Sequence, residues 1–262
     1  MRTLLAALTF VVLTIVLGSV VLLAKLIGIR ERPGSIYDRA PRWWAQGILA
    51  ASGVRVVFHD HERTETGEPR IFVCNHVSWY DVLVLVAYLP RYSFVAKAEL
   101  FRVPLFGPAA RAVGTIPIDR DNRKAAFQSY EEAARRIREG RNVVVFPEGT
   151  RGESYALRPF KKGPFVLAVA AGVPLVPTVI HGTIATNPRG TLRVRAGAVQ
   201  AHPLEPVPTA GLTYDDRDRL SRAVYERMAE ALRQQYGVES PPYVSVGVAA
   251  AREVAASAAS DA

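Results

Sequence analysis

A histidine and an aspartate stand five residues apart in the segment 75–81, which reads Asn-His-Val-Ser-Trp-Tyr-Asp. A histidine titrates near neutral pH and can take a proton from an alcohol. A carboxylate beside it can fix the tautomer of the ring and stabilise the imidazolium that forms. Of the five histidines in the chain, only His76 has Asp or Glu five residues later. His76 and Asp81 are therefore the candidate general-base pair.

The elements around this segment decide whether the two side chains meet. The apolar run at 71–74 is typical of a buried strand, and residues 79–89 predict a helix. His76 then lies at a strand-to-helix junction, where an α/β sheet tends to present its chemistry. Within a single helix the two positions would be separated by roughly 140°. An alternative stays open, because Ser78 and Asp81 also have the spacing of a capping box, in which Asp81 only satisfies backbone donors.

Two further segments carry groups that bind anions. Residues 141–146 predict a buried strand followed by Pro-Glu-Gly-Thr-Arg at 147–151. Gly149 would let backbone amides approach an anion, and Arg151 could hold a phosphate in a bidentate fork. Residues 114–120 predict a short strand that ends in Asp-Arg. Each arginine taken alone is more often an ordinary structural or surface residue.

Taken together, these segments resemble the 1-acyl-glycerol-3-phosphate acyltransferase (lysophosphatidic acid acyltransferase) family of glycerolipid acyltransferases. That family carries the motifs Asn-His-x-Ser-x-x-Asp, Gly-x-Ile-x-x-Asp-Arg, Phe-Pro-Glu-Gly-Thr-Arg and Val-Pro-x-x-Pro. All four occur in this order between residues 75 and 177. The chain departs from the family at Gly152, where members often have a serine after the Thr-Arg pair. The departure removes one hydroxyl donor from the head-group contacts.

The resemblance implies roles for these residues. His76 would act as general base on the free hydroxyl of a lysophospholipid, assisted by Asp81, and the alkoxide would attack an acyl thioester without a covalent enzyme intermediate. The thioester, acyl-ACP or acyl-CoA, would be a co-substrate, with no cofactor and no metal. Ser78 and Cys74 are alternative nucleophiles, read here as a cap and a core residue. The implied substrate-binding residues are Arg120, Glu148, Gly149, Thr150 and Arg151, with Glu148 either contacting the acceptor or holding the loop.

The N-terminal region predicts a membrane element. Residues 4–24 are uncharged and almost wholly apolar, about long enough to cross a bilayer core. A signal peptide fits less well, because this stretch is too long and no small-x-small cleavage site follows it. Basic residues at 25, 30 and 32 predict that the catalytic part lies on the cytoplasmic side of the cell's inner membrane. Whether the segment spans the bilayer or is re-entrant stays open.

Composition agrees with a membrane-surface enzyme. The formal net charge of +9 indicates an anionic partner, either membrane lipid, a phosphorylated substrate or nucleic acid. No nucleic-acid motif is present, so the anionic membrane surface and the acceptor are the expected partners. The single cysteine, Cys74, excludes an internal disulfide framework and indicates a reducing compartment. The oligomeric state is left open.

The predicted fold class is α/β: a single domain with a central sheet flanked by helices, preceded by an N-terminal membrane helix. A mixed sheet is what the resemblance implies. Further strands are predicted at 54–58, 93–96, 175–180 and, more exposed, at 191–195. The predicted organisation is a membrane helix at 1–30, an interfacial helix region at 31–53, a catalytic domain at 54–240 and a mobile tail at 241–262.

Three other functions compete with this reading. The acceptor could be another lysolipid, such as lyso-ornithine lipid, or glycerol 3-phosphate itself. The same histidine pair could activate water in a thioester or lipid hydrolase. A catalytically dead, membrane-anchored lipid-binding protein is the third, and the intact set of His76, Asp81, Glu148 and Arg151 argues against it.

Overall fold

Seven strands form one mixed sheet. The computed structural model of the chain describes residues 1–65, 67–119 and 123–245, and for residues 123–127 the backbone only. The strands are β1 (Val54–Phe58), β2 (Ile71–Cys74), β3 (Tyr92–Lys97), β4 (Ile116–Ile118), β5 (Asn142–Val145), β6 (Leu175–His181) and β7 (Gly197–Pro203). Their order in the sheet is β1-β7-β6-β2-β5-β3-β4. The β6–β7 pair is antiparallel and the other pairs are parallel, which confirms the mixed sheet.

Helices cover both faces of this sheet. The α-helices in the described part of the chain are α1 (Arg2–Leu26), α2 (Ile36–Ser52), α3 (Trp79–Tyr88), α4 (Phe106–Ala112), α5 (Arg123–Arg138), α6 (Gly163–Ala171), α7 (Thr183–Thr186) and α8 (Arg217–Tyr236). Short 3₁₀ turns lie at His61–Arg63, Ala98–Arg102 and Tyr214–Asp216. Thr213 and Asp216 form a capping box just before α8.

The central strands are buried on both faces, which is why they are continuous apolar runs in the sequence. Side chains alternate between the two faces of a strand. In β2, Ile71 and Val73 belong to the core shared with α5, α6 and α8. Phe72 and Cys74 belong to the opposite core, shared with α2 and α3. The two cores fix β2 in the middle of a three-layer sandwich.

The two N-terminal helices pack on the domain and on each other. Along α1, the side chain of Thr3 accepts a hydrogen bond from Val194 N at 3.0 Å, and Thr14 accepts one from the Trp44 indole at 2.9 Å. Further along, Gly18 lies against Leu105. The opposite face of α1 is apolar and exposed, through Leu4, Leu5, Leu8, Val11, Val12, Ile15, Val16, Val20 and Leu23. In the described residues, α1 is the one helix long and apolar enough to cross a membrane.

The region at 31–53 that was predicted to be interfacial contains α2, which ends before Gly53. Ala45, Ile48 and Leu49 are buried against the sheet and α3, so this helix packs on the domain. Trp43 remains 50% exposed, whereas Trp44 packs against Phe10 of α1.

One predicted strand is wrong. Residues 191–195 alternate apolar and polar side chains, as an exposed strand does, but the structure has a loop there, and Leu192 is 89% exposed. The strand is β7 instead, six residues further along at its start. It was missed because small and polar residues interrupt its apolar pattern. Partners on both sides hold it: β1 pairs with it in parallel and β6 in antiparallel register.

The catalytic domain continues past its predicted end at residue 240. Ser240 Oγ accepts a hydrogen bond from Leu157 N at 3.0 Å, and the Tyr225 hydroxyl donates to Pro241 O at 2.7 Å. Tyr243 packs edge-on against Tyr225. Residues 246–262, in which the rest of the predicted tail falls, lie outside the described residues.

Candidate active site

The site lies at the carboxyl ends of three neighbouring strands. Strands β6, β2 and β5 run parallel side by side, so the segments that follow them emerge at the same edge of the sheet. The chain leaves β2 toward β3 and leaves β5 toward β6, in opposite directions across the sheet. A crevice forms at such a switch point in an open α/β sheet. His76 follows β2 and Glu148 follows β5, so both stand at this crevice.

His76 and Asp81 meet as the sequence predicts. The Nδ1 atom of His76 lies 2.9 Å from Oδ2 of Asp81. Asp81 is fully buried, and the His76 side chain is 14% exposed. The imidazole stacks on Phe146, with ring centroids 4.0 Å apart. Its Nε2 atom has no hydrogen-bond partner among residues 1–65, 67–119 and 123–245, which leaves it available to a substrate hydroxyl.

The capping-box alternative is also true of this segment. Oδ2 of Asp81 accepts hydrogen bonds from Val77 N at 2.7 Å and Ser78 N at 2.8 Å, and Ser78 Oγ accepts one from Tyr80 N. One carboxylate therefore caps α3 and binds the imidazole at the same time. The cap holds Asp81 rigidly in the geometry that the histidine needs.

Neither alternative nucleophile is suitably placed. Ser78 is fully buried, and its hydroxyl donates to Asn187 O at 2.8 Å. Cys74 is fully buried in the core, and burial raises the pKa of its thiol strongly. A thiol that stays protonated is a poor nucleophile. These positions agree with the assignment of the two residues as cap and core.

Glu148 contacts backbone amides. Its Oε1 accepts a hydrogen bond from His76 N at 3.0 Å, and its Oε2 accepts one from Arg158 N at 3.4 Å. Burial raises the pKa of this carboxyl to about 7, although both backbone hydrogen bonds favour its ionised form. These contacts favour the loop-holding alternative over direct contact with an acceptor.

The loop after β5 is hydrogen-bonded to both the N–H and the carbonyl of His76. In addition to the Glu148 contact, Gly152 N donates to His76 O at 2.7 Å. A Cβ atom at position 152 would lie 3.1 Å from the carbonyl oxygen of Ser154, so a serine there would require a shift of that carbonyl by a few tenths of an ångström.

The predicted phosphate-binding residues of this loop are more open. Gly149 adopts a positive φ of 77°, a conformation that favours glycine, and Thr150 is exposed. The Arg151 guanidinium lies over the ring of Trp79, 4.7 Å from its centroid. Partial burial and the charge of Arg189 lower the pKa of Arg151. The Arg189 guanidinium also lies 3.5 Å from the Glu153 carboxylate, whereas Arg151 has no such pair in the described residues, so Arg151 is the better placed of the two to attract an anion.

Arg120 lies outside the described residues, so its predicted contact with phosphate stays a prediction. The strand before it, β4, is three positions away from β2 in the sheet. At a spacing of about 4.8 Å per strand, that is roughly 14 Å. A long side chain and an extended substrate would both be needed to connect this part of the sheet with His76.

Several residues that the sequence reasoning missed complete the site. The side chain of Asn75 pairs with both the N–H and the carbonyl of Ile180, at 2.8 and 2.9 Å, and so joins the ends of β2 and β6. The Thr183 hydroxyl donates to Oδ1 of Asp81 at 2.6 Å. Arg189 donates to Arg151 O at 2.9 Å. Thr183 and Arg189 are distant from His76 in sequence and belong to no motif considered, so only the fold reveals them.

The described residues contain no group of three or more His, Cys, Asp or Glu side chains that could hold a metal ion. The other histidines serve elsewhere: His181 stacks on Tyr236 and His59 stacks on His202. Burial lowers the pKa of His181, as expected for a structural histidine.

Comparison with known proteins agrees with this geometry. Residues 55–181 match the family model described as Acyltransferase. A 1-acyl-sn-glycerol-3-phosphate acyltransferase from Haemophilus influenzae is 31% identical over 196 residues, which cover 74% of this chain and 80% of that protein. The human alpha enzyme of that name is 36% identical over 70% of this chain, and the chain spans only 65% of its length. A lyso-ornithine lipid O-acyltransferase from Pseudomonas aeruginosa is 32% identical over 84% of this chain and 89% of that protein.

A solved structure shares the fold. The 1-acyl-sn-glycerophosphate (LPA) acyltransferase PlsC from Thermotoga maritima superposes with a TM-score of 0.73 at 24% identity, covering 90% of this chain and 98% of that one. The mixed seven-stranded sheet flanked by helices is thus shared with that protein. With the matching family model and relatives above 30% identity over most of their length, the chain belongs to the 1-acyl-sn-glycerol-3-phosphate acyltransferase family.

Proposed function

We propose that this protein transfers an acyl chain from acyl-ACP or acyl-CoA to the free sn-2 hydroxyl of 1-acyl-glycerol 3-phosphate, forming phosphatidic acid for phospholipid biosynthesis. The observation that carries the proposal is the His76–Asp81 pair at 2.9 Å, with Nε2 of the imidazole directed away from its carboxylate partner. An acceptor hydroxyl is the group that such a nitrogen deprotonates.

The reaction needs one proton-accepting group and no covalent enzyme intermediate. Nε2 of His76 takes the proton of the acceptor hydroxyl as its oxygen attacks the thioester carbonyl. Asp81, fully buried and ionised in this role, stabilises the imidazolium through Nδ1. The tetrahedral adduct then collapses, the carbon–sulfur bond breaks, and the imidazolium returns its proton to the leaving thiolate. The products are an ester and a free thiol, and the enzyme regains its starting state.

The acceptor phosphate is proposed to bind on the Arg151 side of the crevice. Gly149 and Thr150 shape that loop, and Arg189 adds a second guanidinium that touches the backbone of Arg151. Arg120 is proposed as a further phosphate ligand on the basis of its motif. Glu148 would contribute by holding the loop against the backbone of His76.

Membrane association is part of the proposal. The exposed apolar face of α1 is suited to lipid, and Trp43 on the neighbouring helix α2 has an exposed indole of the kind found at head-group depth. The basic residues that follow α1 favour a cytoplasmic catalytic domain at the inner membrane, where acyl thioesters are made. The anionic surface of that membrane suits a net charge of +9.

A second acceptor deserves a direct test because the similarity to a lyso-ornithine lipid O-acyltransferase covers 89% of that protein. The purified full-length chain in mixed micelles would be given labelled acyl-CoA or acyl-ACP with 1-acyl-glycerol 3-phosphate, lyso-ornithine lipid, glycerol 3-phosphate or no acceptor. Labelled phosphatidic acid, absent with His76→Ala, is the expected product. A larger turnover with lyso-ornithine lipid would mean that this lipid is the acceptor. Free fatty acid as the main product with every acceptor would mean that the protein is a hydrolase.

A further inference from the structure

The carboxylate of Asp81 has a second oxygen, Oδ1, whose environment the pairing with His76 does not explain. Oδ1 accepts a hydrogen bond from the Thr183 hydroxyl at 2.6 Å, and both residues are fully buried. Thr183 begins α7, two residues after the end of β6. A buried hydroxyl on a different strand end is thus directed at the carboxylate that serves the candidate base.

A tyrosine lies behind this threonine. The Tyr155 hydroxyl oxygen accepts hydrogen bonds from Gly182 N at 2.7 Å and Ile184 N at 2.9 Å, the two residues on either side of Thr183. The turn requires a glycine at position 182, because the residue has a φ of 99° and a Cβ there would lie 2.2 Å from Ala198 O. The turn between β6 and α7 is therefore built around the Tyr155 hydroxyl.

The hydrogen bond between Thr183 and Asp81 also bears on the proton of the carboxyl group. A hydroxyl has a proton to donate, whereas an ionised carboxylate can only accept. The Thr183 hydroxyl therefore donates to Oδ1 when Asp81 is ionised. A proton on Oδ1 would take the place of this donated hydrogen bond.

The other oxygen is restricted in the same way. Oδ2 of Asp81 already accepts from Val77 N and Ser78 N and also faces Nδ1 of His76. Donors on both oxygens favour the ionised carboxylate. An ionised carboxylate can only accept, so the proton of a neutral His76 has to be on Nδ1. Nε2 is then the basic nitrogen, which is the tautomer that general-base catalysis requires.

We propose that Thr183, supported by Tyr155, is a positioning residue that keeps Asp81 ionised and His76 in its Nδ1–H tautomer. Neither residue touches a substrate in this role. The inference rests on the proposed function only for its kinetic consequence, because the tautomer of His76 is a property of the protein without substrates.

The test uses Thr183→Val, which keeps the shape and removes the hydroxyl, and Thr183→Ser, which restores it. Losing a hydrogen bond to a charged group costs about 1.5–3 kcal/mol, so Thr183→Val should lower kcat roughly 10- to 150-fold. The KM values of donor and acceptor should change much less, since Thr183 is remote from both. Thr183→Ser should recover most of the lost kcat. Tyr155→Phe should lower kcat as well, because the turn that carries Thr183 loses the hydroxyl that binds its backbone amides.

Thr186→Val is the matched control. Thr186 is on the same short helix and is equally buried, but its hydroxyl is directed at Gly182 O, at 3.5 Å. A merely structural role for these threonines predicts similar kinetics for the two valine variants. The inference is overturned if Thr183→Val retains kcat within about twofold of the wild type, or if Thr183→Ser is no better than Thr183→Val.

A second measurement separates this inference from the proposed function. ¹⁵N spectra of histidine-labelled full-length protein in micelles, with His76 assigned by its loss in His76→Ala, report the tautomer directly. The wild type should give the Nδ1–H pattern, and Thr183→Val a mixture with the Nε2–H form. An unchanged tautomer in Thr183→Val overturns the inference even if the enzyme is active. The tautomer could change as expected in Thr183→Val while the wild type acylates none of the acceptors. That result would contradict the proposed function and support the inference.

Discussion

The two sides of the crevice are built differently. On the base side, Asp81 is fully buried and receives hydrogen bonds on both oxygens, and Asn75 joins the strand ends on which the site stands. On the acceptor side, Thr150 is exposed, and Arg151 is held by the face of Trp79 rather than by a carboxylate. The proposed base pair is therefore held rigidly, whereas the residues proposed to bind the acceptor are less constrained.

The difference in rigidity matches the different requirements of proton transfer and of head-group binding. Proton transfer needs the base within hydrogen-bonding distance of its target in a set orientation, so the pair profits from a rigid setting. Recognition of a head group tolerates adjustable side chains at the surface.

The largest effect should come from breaking the base side. His76→Ala should lower kcat by about two to four orders of magnitude, the usual size of general-base assistance. Asp81→Asn should be severely impaired too, because the imidazolium loses its partner. Thioester turnover in mixed micelles measures both, and circular dichroism checks that the variants fold. A folded His76→Ala enzyme with near-normal turnover contradicts the assignment of the base.

The next effect concerns Glu148, which joins the two sides. Its pKa is about 7 in the folded protein and near 4.5 in the unfolded chain. The folded state therefore binds the proton more tightly, and raising the pH through this window should lower the free energy of unfolding by roughly 3 kcal/mol. At a pH below both pKa values Glu148 is protonated in both states and does not change the free energy of unfolding. At a pH above both values the whole reduction applies. Glu148→Gln has no titrating group and should lack this part of the pH dependence.

Urea unfolding at several pH values between 4.5 and 8 measures this difference. Histidines with lowered pKa values, such as His202, make stability rise with pH, but they do so equally in both proteins and cancel in the comparison. Exposed Glu226→Gln is the control and should follow the wild type. Parallel curves for wild type and Glu148→Gln would mean that Glu148 does not titrate in this range.

A smaller effect is expected from Arg151→Ala. A charge-assisted contact with phosphate contributes about 1.5–3 kcal/mol, so the acceptor KM should rise about 10- to 100-fold while the donor KM changes much less. Arg151→Lys should recover only part, because lysine lacks the planar fork. Two-substrate kinetics give both constants. Equal damage to donor and acceptor KM would assign Arg151 a structural role.

The smallest effect should follow Trp79→Leu. The ring holds Arg151 by a cation–π contact at an exposed site, which contributes about 0.5–1 kcal/mol. The acceptor KM should rise only about two- to fivefold, and kcat should stay near the wild-type value. The double variant Trp79→Leu/Arg151→Ala should be no worse than Arg151→Ala alone, since the tryptophan acts through the arginine. Additive losses would show that Trp79 acts on the substrate directly.

The same contrast explains what the sequence could predict. Buried strands such as β2 and β5 are continuous apolar runs, and the motifs that follow them are local, so the meeting of His76 and Asp81 was predictable. Thr183 reaches Asp81 only because β6 lies beside β2, a long-range pairing that no local pattern reveals. Strand β7 was missed because its neighbours, rather than its composition, hold it in the sheet.

The contacts of α1 have a mechanical consequence. The helix is joined to the domain near its start, through Thr3 and Val194, and again beyond its middle, where Gly18 lies against Leu105. A helix held at one end can tilt to match the thickness of the surrounding bilayer. A helix that is held at two points along its length can tilt only if the whole domain tilts with it. In a membrane that accepts the apolar face of α1, a change in lipid thickness would therefore raise, lower or rotate the mouth of the crevice relative to the head groups.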